Sequence, residues 1–374
     1  MVKNPFSLGS SDIPLCNRQN EMSSLIRHAE NNQNALLYGS RRLGKTMLVK
    51  EVQTHLRAKE VITLFADFFG VVSIEDIAAR TCRALFEVVH QKEPLFKKTM
   101  RALTTFRPSF KPTADGLGLS FSVEQTCSDI GIEVLERTMF DLKQLMQNLD
   151  FKLNIVFDEF QEITEVEKGV QIQGVLRKYI QDMQASFFFV GSKKRILKQI
   201  FQDKSKPFFQ STFDYELKAL PENEATDYII ERFQYGNRKI GFPEASLIYS
   251  LIAGNPYYLQ KYCHLLFEEE KSVIDETTIY HLFGKLLDLE KDYFESIINQ
   301  LTAKQINLLT ALAKEETRNL YAKDFIKRHS LGSIGGVQQN IDSLSKEDLV
   351  AKEEKGWLIV DPVFKVWLTK RAVF

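Results

Sequence analysis

Hydrophobic positions in the first two hundred residues alternate between short, continuous apolar runs and longer segments with helical spacing. The apolar runs at 35–38, 61–67, 152–157 and 185–190 have the length and composition of strands buried on both faces of a sheet. This alternation predicts an α/β fold with a doubly wound sheet. Besides the helix that follows the first run, the predicted helices are 21–30, 73–90, 132–149 and 171–183.

From Pro221 onward the pattern is helical, and no strand is predicted before about Leu349. Residues 222–235, 245–253 and 257–269 have helical spacing, and Gly254-Asn255-Pro256 separates the last two segments. This part of the chain is predicted to form a small helical lid domain.

The last eighty residues predict a third unit. Helical segments at 302–313, 322–328 and 334–346 precede two short strand-like runs joined at Glu354-Lys355-Gly356. Three helices followed by a β-hairpin is the order of a winged helix. The predicted domains are therefore 1–216, 217–292 and 293–374.

Composition and charge limit the kinds of partner that the protein is expected to bind. The 374 residues include 49 basic and 49 acidic side chains, so the whole molecule has no strong field toward nucleic acid or membranes. The four cysteines are widely spaced, which predicts buried reduced thiols. The chain also lacks an apolar leader or membrane span, so we expect a cytoplasmic protein that does not contact membranes.

Two local segments are basic. Residues 92–118 are proline-broken and predict a surface insertion ending in a short strand. Residues 193–206 contain six basic side chains and one acidic side chain. A solvated face is the simpler interpretation of the first segment, and a binding patch is its alternative. A solvated helix face is the simpler interpretation of the second segment, and a phosphate, nucleic-acid or neighbouring-subunit contact is its alternative.

The chemistry centres on Gly39-Ser40-Arg41-Arg42-Leu43-Gly44-Lys45-Thr46, which fits the phosphate-binding pattern G-x-x-x-x-G-K-[ST]. It follows an apolar strand and precedes the helical residues Met47, Leu48 and Val49, which is the context that the motif requires. The two glycines let backbone N–H groups surround a polyphosphate at a helix N-terminus. Lys45 is expected to reach the β and γ phosphates, and the Thr46 hydroxyl to ligate magnesium.

A second motif is the acidic pair Asp158-Glu159, which ends a predicted strand. Parallel strands end at the same edge of a sheet, where the phosphate loop also opens. Asp158 is expected to hold magnesium, and Glu159 to act as the general base toward water. A strand end with a solvated acidic turn is the simpler alternative.

With these motifs, the chain resembles the archaeal-type ATPase family of the AAA+ and STAND assemblage of P-loop proteins, which is related to origin-recognition initiator ATPases. Asn4-Pro5-Phe6 and the segment around Arg18 are similar to its lead-in, and the phosphate loop is similar except that Ser40 replaces the usual proline. Asp361-Pro362-Val363-Phe364 resembles the ending of its winged helix.

The resemblance implies further site residues. It implies that Arg18 lies near the adenine, that Ser192 is a γ-phosphate sensor, and that Pro256 lies near the nucleotide. Sensors in AAA+ proteins are often asparagine or threonine, and no arginine finger can be assigned. The expected nucleotide-binding residues are Arg18, Gly39, Ser40, Arg41, Arg42, Leu43, Gly44, Lys45, Thr46, Met47 and Pro256. The expected catalytic residues are Lys45, Glu159 and Ser192, and the expected magnesium ligands are Thr46 and Asp158.

The leading hypothesis is an ATP-binding, magnesium-dependent ATPase that acts as a nucleotide-driven switch. The alternative is a nucleotide-gated protein adaptor that hydrolyses little ATP. The third helix of the predicted winged helix, residues 333–348, has one lysine and three acids, so the charge expected of a strong DNA binder is missing. Duplex DNA, a protein partner and self-association are all left open beside ATP and ADP. A small-molecule kinase fits less well, because an Asp-Glu pair and a large helical C-terminal part favour hydrolysis coupled to motion.

Overall fold

The computed structural model describes residues 4–8, 16, 18–89, 97, 103–112, 119–147, 152–269, 273–353 and 356–371. The described chain divides into two compact units. The first lies within 18–41 and 45–217, and the second within 1–17, 42–44 and 218–374. Most of the lead-in before Arg18, much of the basic insertion, and the predicted turn at Glu354-Lys355 lie outside the described residues.

A five-stranded parallel sheet forms the centre of the first unit. Its strands are β1 (Ala35–Tyr38), β2 (Ile62–Asp67), β5 (Leu153–Asp158), β6 (Ser186–Gly191) and β7 (Phe213–Glu216). The order across the sheet is β2-β5-β6-β1-β7, so β6 lies between β5 and β1. This sheet, together with the C-terminal winged helix, confirms the predicted fold class.

The central strands are buried on both faces because alternate side chains enter two separate cores. Phe157, Phe187 and Phe189 belong to one apolar cluster with the helices of that face. The neighbouring side chains, such as Val156 and Phe188, are also fully buried but lie outside that cluster. The continuous apolar runs in the sequence reflect this double burial.

Two features of the first unit differ from the prediction. The insertion forms two antiparallel strands, β3 (Phe106–Pro112) and β4 (Leu119–Gln125), where one short strand was expected. Strand β7 was not predicted at all. Its residues are largely exposed, so it lacks the apolar run that marks the other strands of the sheet.

The second unit contains a helical segment followed by the winged helix. Helices Ala303–Lys314, Lys323–Arg328 and Ile334–Lys346 precede the antiparallel pair β8 (Val350–Glu353) and β9 (Gly356–Ile359). Thr302 and Gln305 form a reciprocal capping box at the first of these helices, which satisfies backbone donors at its start. The sequence order predicted for a winged helix is confirmed.

The remaining helices agree with the predicted segments, with two additions. Glu276–Asn299 and Pro362–Arg371 are helices that the sequence interpretation did not include. The others are Gln19–Glu30, Lys45–Ala58, Ile74–Val89, Ile132–Gln147, Gly169–Asp182, Lys194–Gln202, Glu222–Tyr235, Phe242–Ile252 and Pro256–Glu268, and a 3-10 turn spans Phe160–Thr164.

Cysteine burial agrees with the sequence-based expectation. Cys16, Cys82 and Cys263 are buried free thiols, and Cys127 is partly buried. None of the helices in the described ranges combines the length and apolar composition needed to cross a membrane.

Phe189 is expected to be a main determinant of stability in the first unit. Its buried ring lies 4.6 Å from Phe160, 5.0 Å from Phe201 and 5.2 Å from Phe208, centroid to centroid. Phe189→Ala should lower the free energy of unfolding by about 3–5 kcal/mol, because a cavity is left in a closely packed core. Chemical denaturation measures the loss.

Phe69→Ala is the matched control for this substitution. The Phe69 side chain is 66% exposed, so its removal should change stability by less than about 0.5 kcal/mol. Equal losses in the two variants would contradict the central role of the phenylalanine cluster.

Candidate functional site

Three neighbouring strands bring the predicted motifs to one edge of the sheet. In the parallel register, Tyr38 of β1 lies opposite Gly191 of β6, and Phe157 of β5 lies opposite Phe189 of β6. The phosphate loop follows β1, the acidic pair follows β5, and Ser192 follows β6. Their side chains therefore meet at the carboxyl ends of the strands.

The phosphate loop is held in shape by its own lysine. The ammonium group of Lys45 is buried and donates to the carbonyl oxygens of Gly39 and Ser40, at 2.8 and 2.7 Å. A Cβ at Gly39 would lie 2.3 Å from the carbonyl oxygen of Leu217, and Gly44 has a φ of +84°. Both positions thus need glycine, the first for space and the second for its backbone conformation.

The helix after this loop contacts the end of β5. The Thr46 hydroxyl donates to Oδ2 of Asp158 at 2.7 Å. Asp158 is buried, and burial raises the pKa of its carboxyl group, with Glu159 and Asp67 adding to the rise and the Thr46 hydrogen bond opposing it. A carboxylate and a hydroxyl in contact are hard oxygen donors, so this pair fits a magnesium ion that keeps further oxygen ligands from water and phosphate.

Glu159 occupies a turn with unusual backbone geometry. Its φ and ψ are 49° and 42°, in the left-handed region, and its N–H donates to Oδ1 of Asp158 at 3.0 Å. Its carboxylate oxygen Oε2 accepts hydrogen bonds from the Ser192 hydroxyl at 3.2 Å and from the Gln161 amide. Thr46, Asp158, Glu159 and Ser192 are therefore linked by consecutive hydrogen bonds.

The other predicted residues of the first unit are placed as follows. Arg18 precedes the first helix and forms an ion pair with Glu21 at 3.2 Å. Ser40 is half-buried, Arg41 is exposed, and Met47 is 40% exposed at the start of its helix.

Arg42 belongs to the second unit, together with the buried Leu43. Its guanidinium group lies 4.4 Å from the ring centre of Tyr257 and 4.8 Å from that of Tyr293. It also donates to the Tyr258 hydroxyl at 3.1 Å. These three tyrosines surround the cation, as expected for an arginine that stacks on aromatic faces.

Two carboxylates complete this arrangement, which we call the Arg42 cage: Arg42, Tyr257, Tyr258, Glu290, Tyr293 and Asp361. The guanidinium lies 3.5 Å from Asp361 and 3.7 Å from Glu290. Glu290 is only 3% exposed and also pairs with Lys261. Burial raises the pKa of Asp361, and hydrogen bonds from Tyr258 and backbone N–H groups oppose that rise together with Arg42. Pro256 begins the helix that carries two of the tyrosines.

Sequence reasoning missed Gln161 and the partners of Arg42. Gln161 is a buried polar residue between the apolar Phe160 and Ile163, two positions after Glu159. A polar side chain in such a setting is a signal that could have been used. The partners of Arg42 are separated from it by more than two hundred residues, and no local pattern connects them.

Comparisons with known proteins show the family and the fold of the chain. Residues 15–262 match a family model described as an ATPase domain predominantly from Archaea, and residues 292–370 match a probable winged helix domain. No curated protein sequence matches the chain.

Solved structures share the fold. The Walker-type ATPase PABY2304 of Pyrococcus abyssi is similar with a TM-score of 0.67 and 16% identity, over 95% of this chain and 96% of that one. The ORC2 protein of Aeropyrum pernix, solved in ADPNP and ADP complexes, is similar with a TM-score of 0.59 and 14% identity, over 100% and 99%.

Asp158→Asn is expected to stabilise the protein without metal or nucleotide at pH 7.5. The raised pKa of Asp158 means that its charged form is disfavoured in the folded state. The contribution of this group to stability is therefore fully present at acid pH and is lost as the pH rises through the folded-state pKa. The amide carries no charge and keeps an oxygen for Thr46, but it loses the oxygen that accepts from the Glu159 N–H. Because an unpaired buried charge costs more than one neutral hydrogen bond, the variant should still unfold at a higher temperature in EDTA.

The gain of Asp158→Asn should shrink as the pH falls through the raised pKa. Asp67→Asn is the comparison variant: it removes the exposed carboxylate that lies opposite Asp158 in the register and adds to the rise of its pKa, so its gain should be smaller than that of Asp158→Asn. A melting temperature equal to or below wild type at pH 7.5 would contradict the prediction.

Arg42→Ala is expected to destabilise the second unit by roughly 1–3 kcal/mol, because it removes a cation from two carboxylates and from stacked rings. Thermal unfolding of the nucleotide-free protein measures this loss. Arg41→Ala removes a neighbouring, exposed arginine and should have little effect. Arg42→Lys keeps the charge but not the planar contacts, so an intermediate loss is expected, and no loss in either Arg42 variant would disprove the role of the cage.

Proposed function

Because the chain belongs to the family of ATPase domains found predominantly in Archaea, we propose that it binds ATP with magnesium, hydrolyses it, and acts as a nucleotide-driven switch. The observation that carries this proposal is the linked set of Thr46, Asp158, Glu159 and Ser192 beside the loop of Lys45. Such a set combines a phosphate cradle, hard oxygen ligands and a carboxylate base at one edge of a sheet.

The phosphate loop supplies the binding of ATP. Backbone N–H groups between Gly39 and Thr46 and the N-terminus of the helix Lys45–Ala58 favour negative charge. Lys45 lies at the start of that helix, where its ammonium group can reach the β and γ phosphates of a nucleotide held by the loop. Ser40, Arg41, Met47, Arg18 and Pro256 are proposed contacts to the rest of the nucleotide, on the strength of the family resemblance.

Thr46 and Asp158 would hold the magnesium ion. The ion, when bound, neutralises the charge that develops on the phosphate oxygens. Magnesium would in turn stabilise the charged form of Asp158, because a cation offsets the cost of burying a carboxylate. Metal binding and the folded shape of this edge should therefore stabilise each other.

Glu159 is proposed to activate the attacking water. Its Oε2 is held by Ser192 and Gln161, and the carboxylate can accept a proton from water as that water attacks the γ phosphate. The hydroxyl of Ser192 contacts Glu159 directly, so a change at the γ phosphate would alter the hydrogen bonds of both side chains. A switch requires such contacts, which differ between the ATP and ADP states.

A nucleotide-gated protein adaptor with little hydrolysis is the second candidate, and the winged helix favours it. The exposed positions of the helix Ile334–Lys346 include two glutamines, one aspartate and one lysine. A surface so nearly neutral lacks the phosphate-neutralising charge of a strong duplex-DNA binder. This candidate is proposed to dock a protein partner through that helix.

Steady-state ATP hydrolysis in magnesium tests the leading proposal. Lys45→Ala should lose nucleotide binding, since the cradle loses its cation, and Glu159→Gln should keep ATP bound while kcat falls about 10²–10⁴-fold. Nucleotide affinity is measured by titration with a fluorescent ATP analogue.

Two matched variants control this experiment. Lys50→Ala removes an exposed lysine from the same helix, and Glu165→Gln neutralises an exposed glutamate beyond the active turn, so both should behave as wild type. Equal turnover by wild type and Glu159→Gln would disprove the role of Glu159 as the general base.

Duplex DNA separates the two candidates. Stimulation of hydrolysis by DNA, together with binding that weakens steeply with salt, supports a DNA-coupled ATPase. Slow hydrolysis that is indifferent to DNA supports the adaptor.

A further inference from the structure

Gln161 is a buried amide in the 3-10 turn Phe160–Thr164. Its side chain is 1% exposed, between the fully buried Phe160 and Ile163. A buried amide is costly unless its polar atoms have partners. Here the amide nitrogen donates to Oε2 of Glu159 and lies 3.4 Å from Oε1 of Glu162. Gln161 therefore faces two carboxylates with its donor end.

The neighbouring carboxylates determine which way the amide points. Turning it over would place its carbonyl oxygen against Glu159 and Glu162, where oxygen would meet oxygen. In the observed orientation the amide oxygen of Gln161 is buried, and within the described ranges it has no hydrogen-bond partner. The unpaired oxygen costs free energy, but this orientation directs the amide N–H groups toward Glu159.

Gly191 provides the space for this amide. A Cβ at residue 191 would lie 1.9 Å from the Gln161 oxygen and 2.9 Å from a methyl group of Leu197. The last residue of β6 must therefore be small for Gln161 to lie where it does. The next residue, Ser192, supplies the second donor to Glu159, so one strand end contributes both the space and a hydroxyl.

Both donors converge on one oxygen of Glu159. Gln161 and Ser192 both bond Oε2, and among the described residues no hydrogen bond to Oε1 is present. One carboxylate oxygen is thus fixed by neutral donors, and the other is left to accept a proton. The backbone of Glu159, in the left-handed region, directs the side chain toward these two donors.

We infer that Gln161 is a positioning residue, which with Ser192 holds the Glu159 carboxylate in the orientation that takes a proton from the attacking water. This inference rests on the proposed ATP hydrolysis. An amide N–H keeps its proton at these pH values, so Gln161 acts through Glu159 and leaves the proton transfer to that residue. Misplacement of a catalytic group by about 1 Å can cost roughly 10²-fold in rate, so the contact is expected to affect turnover and leave nucleotide binding unchanged.

Gln161→Met is the variant that tests this inference. Methionine is similar in length and fills the same buried space, but it donates no hydrogen bond. We expect kcat to fall roughly 10–100-fold, while the affinity for ATP stays within about twofold of wild type. Gln173→Met is the matched control, because Gln173 on the helix Gly169–Asp182 is similarly buried and its amide oxygen has no hydrogen-bond partner in the described part of the chain.

The double variant with Glu159→Gln separates positioning from a general structural effect. If Gln161 acts only through the Glu159 carboxylate, Gln161→Met should not lower the residual single-turnover rate of Glu159→Gln any further. A further loss by the same factor would overturn the inference. Wild-type or faster turnover in Gln161→Met, or an equal loss in Gln173→Met, would overturn it as well.

The same measurements distinguish this inference from the function on which it rests. If wild type hydrolyses no ATP, the proposed function fails and the inference fails with it. If Glu159→Gln is as fast as wild type, ATP hydrolysis stands, but the role of Glu159 as general base fails and the inference fails with that role. If wild type is active and Glu159→Gln is not, but Gln161→Met is unaffected, the role of Gln161 alone is refuted.

Discussion

Burial of the central strands on both faces is the constraint on which the candidate site depends. Strand β6 pairs in parallel with both β1 and β5, and its side chains enter two cores, so a slip in register would move large phenylalanines out of their places. The same register brings three strand ends together. Packing of the cores thus brings together the loop, the acidic pair and the serine that follow these strands, although they are far apart in the sequence.

Several residues at this edge of the sheet lower the stability that the cores provide. Asp158 carries a carboxylate in a buried position, and Glu159 adopts a backbone conformation that glycine or asparagine would adopt more easily. Lys45 is a buried cation. Residues chosen for stability alone would differ at all three positions, which is the pattern expected of a site selected for binding and reaction.

The sequence predicted the strongly patterned features and missed those set by tertiary contacts. Strands buried on both faces are visible as apolar runs, and the phosphate loop and acidic pair are local motifs. Strand β7 is exposed and has no such run. The helix Glu276–Asn299 does carry helical spacing at Ile279, Leu282, Phe283 and Leu286, so its omission was a missed signal. The role of Gln161 and the Arg42 cage depend on residues that come together only in the folded chain.

The internal hydrogen bonds of Lys45 affect which anions the loop can hold. Its ammonium group already has carbonyl acceptors at Gly39 and Ser40, so an incoming ligand gains only the difference between those contacts and its own. A singly charged anion such as chloride offers one charge in exchange for these two contacts. A polyphosphate brings several charged oxygens at once and can repay the exchange. The loop is therefore expected to favour polyphosphates over singly charged anions.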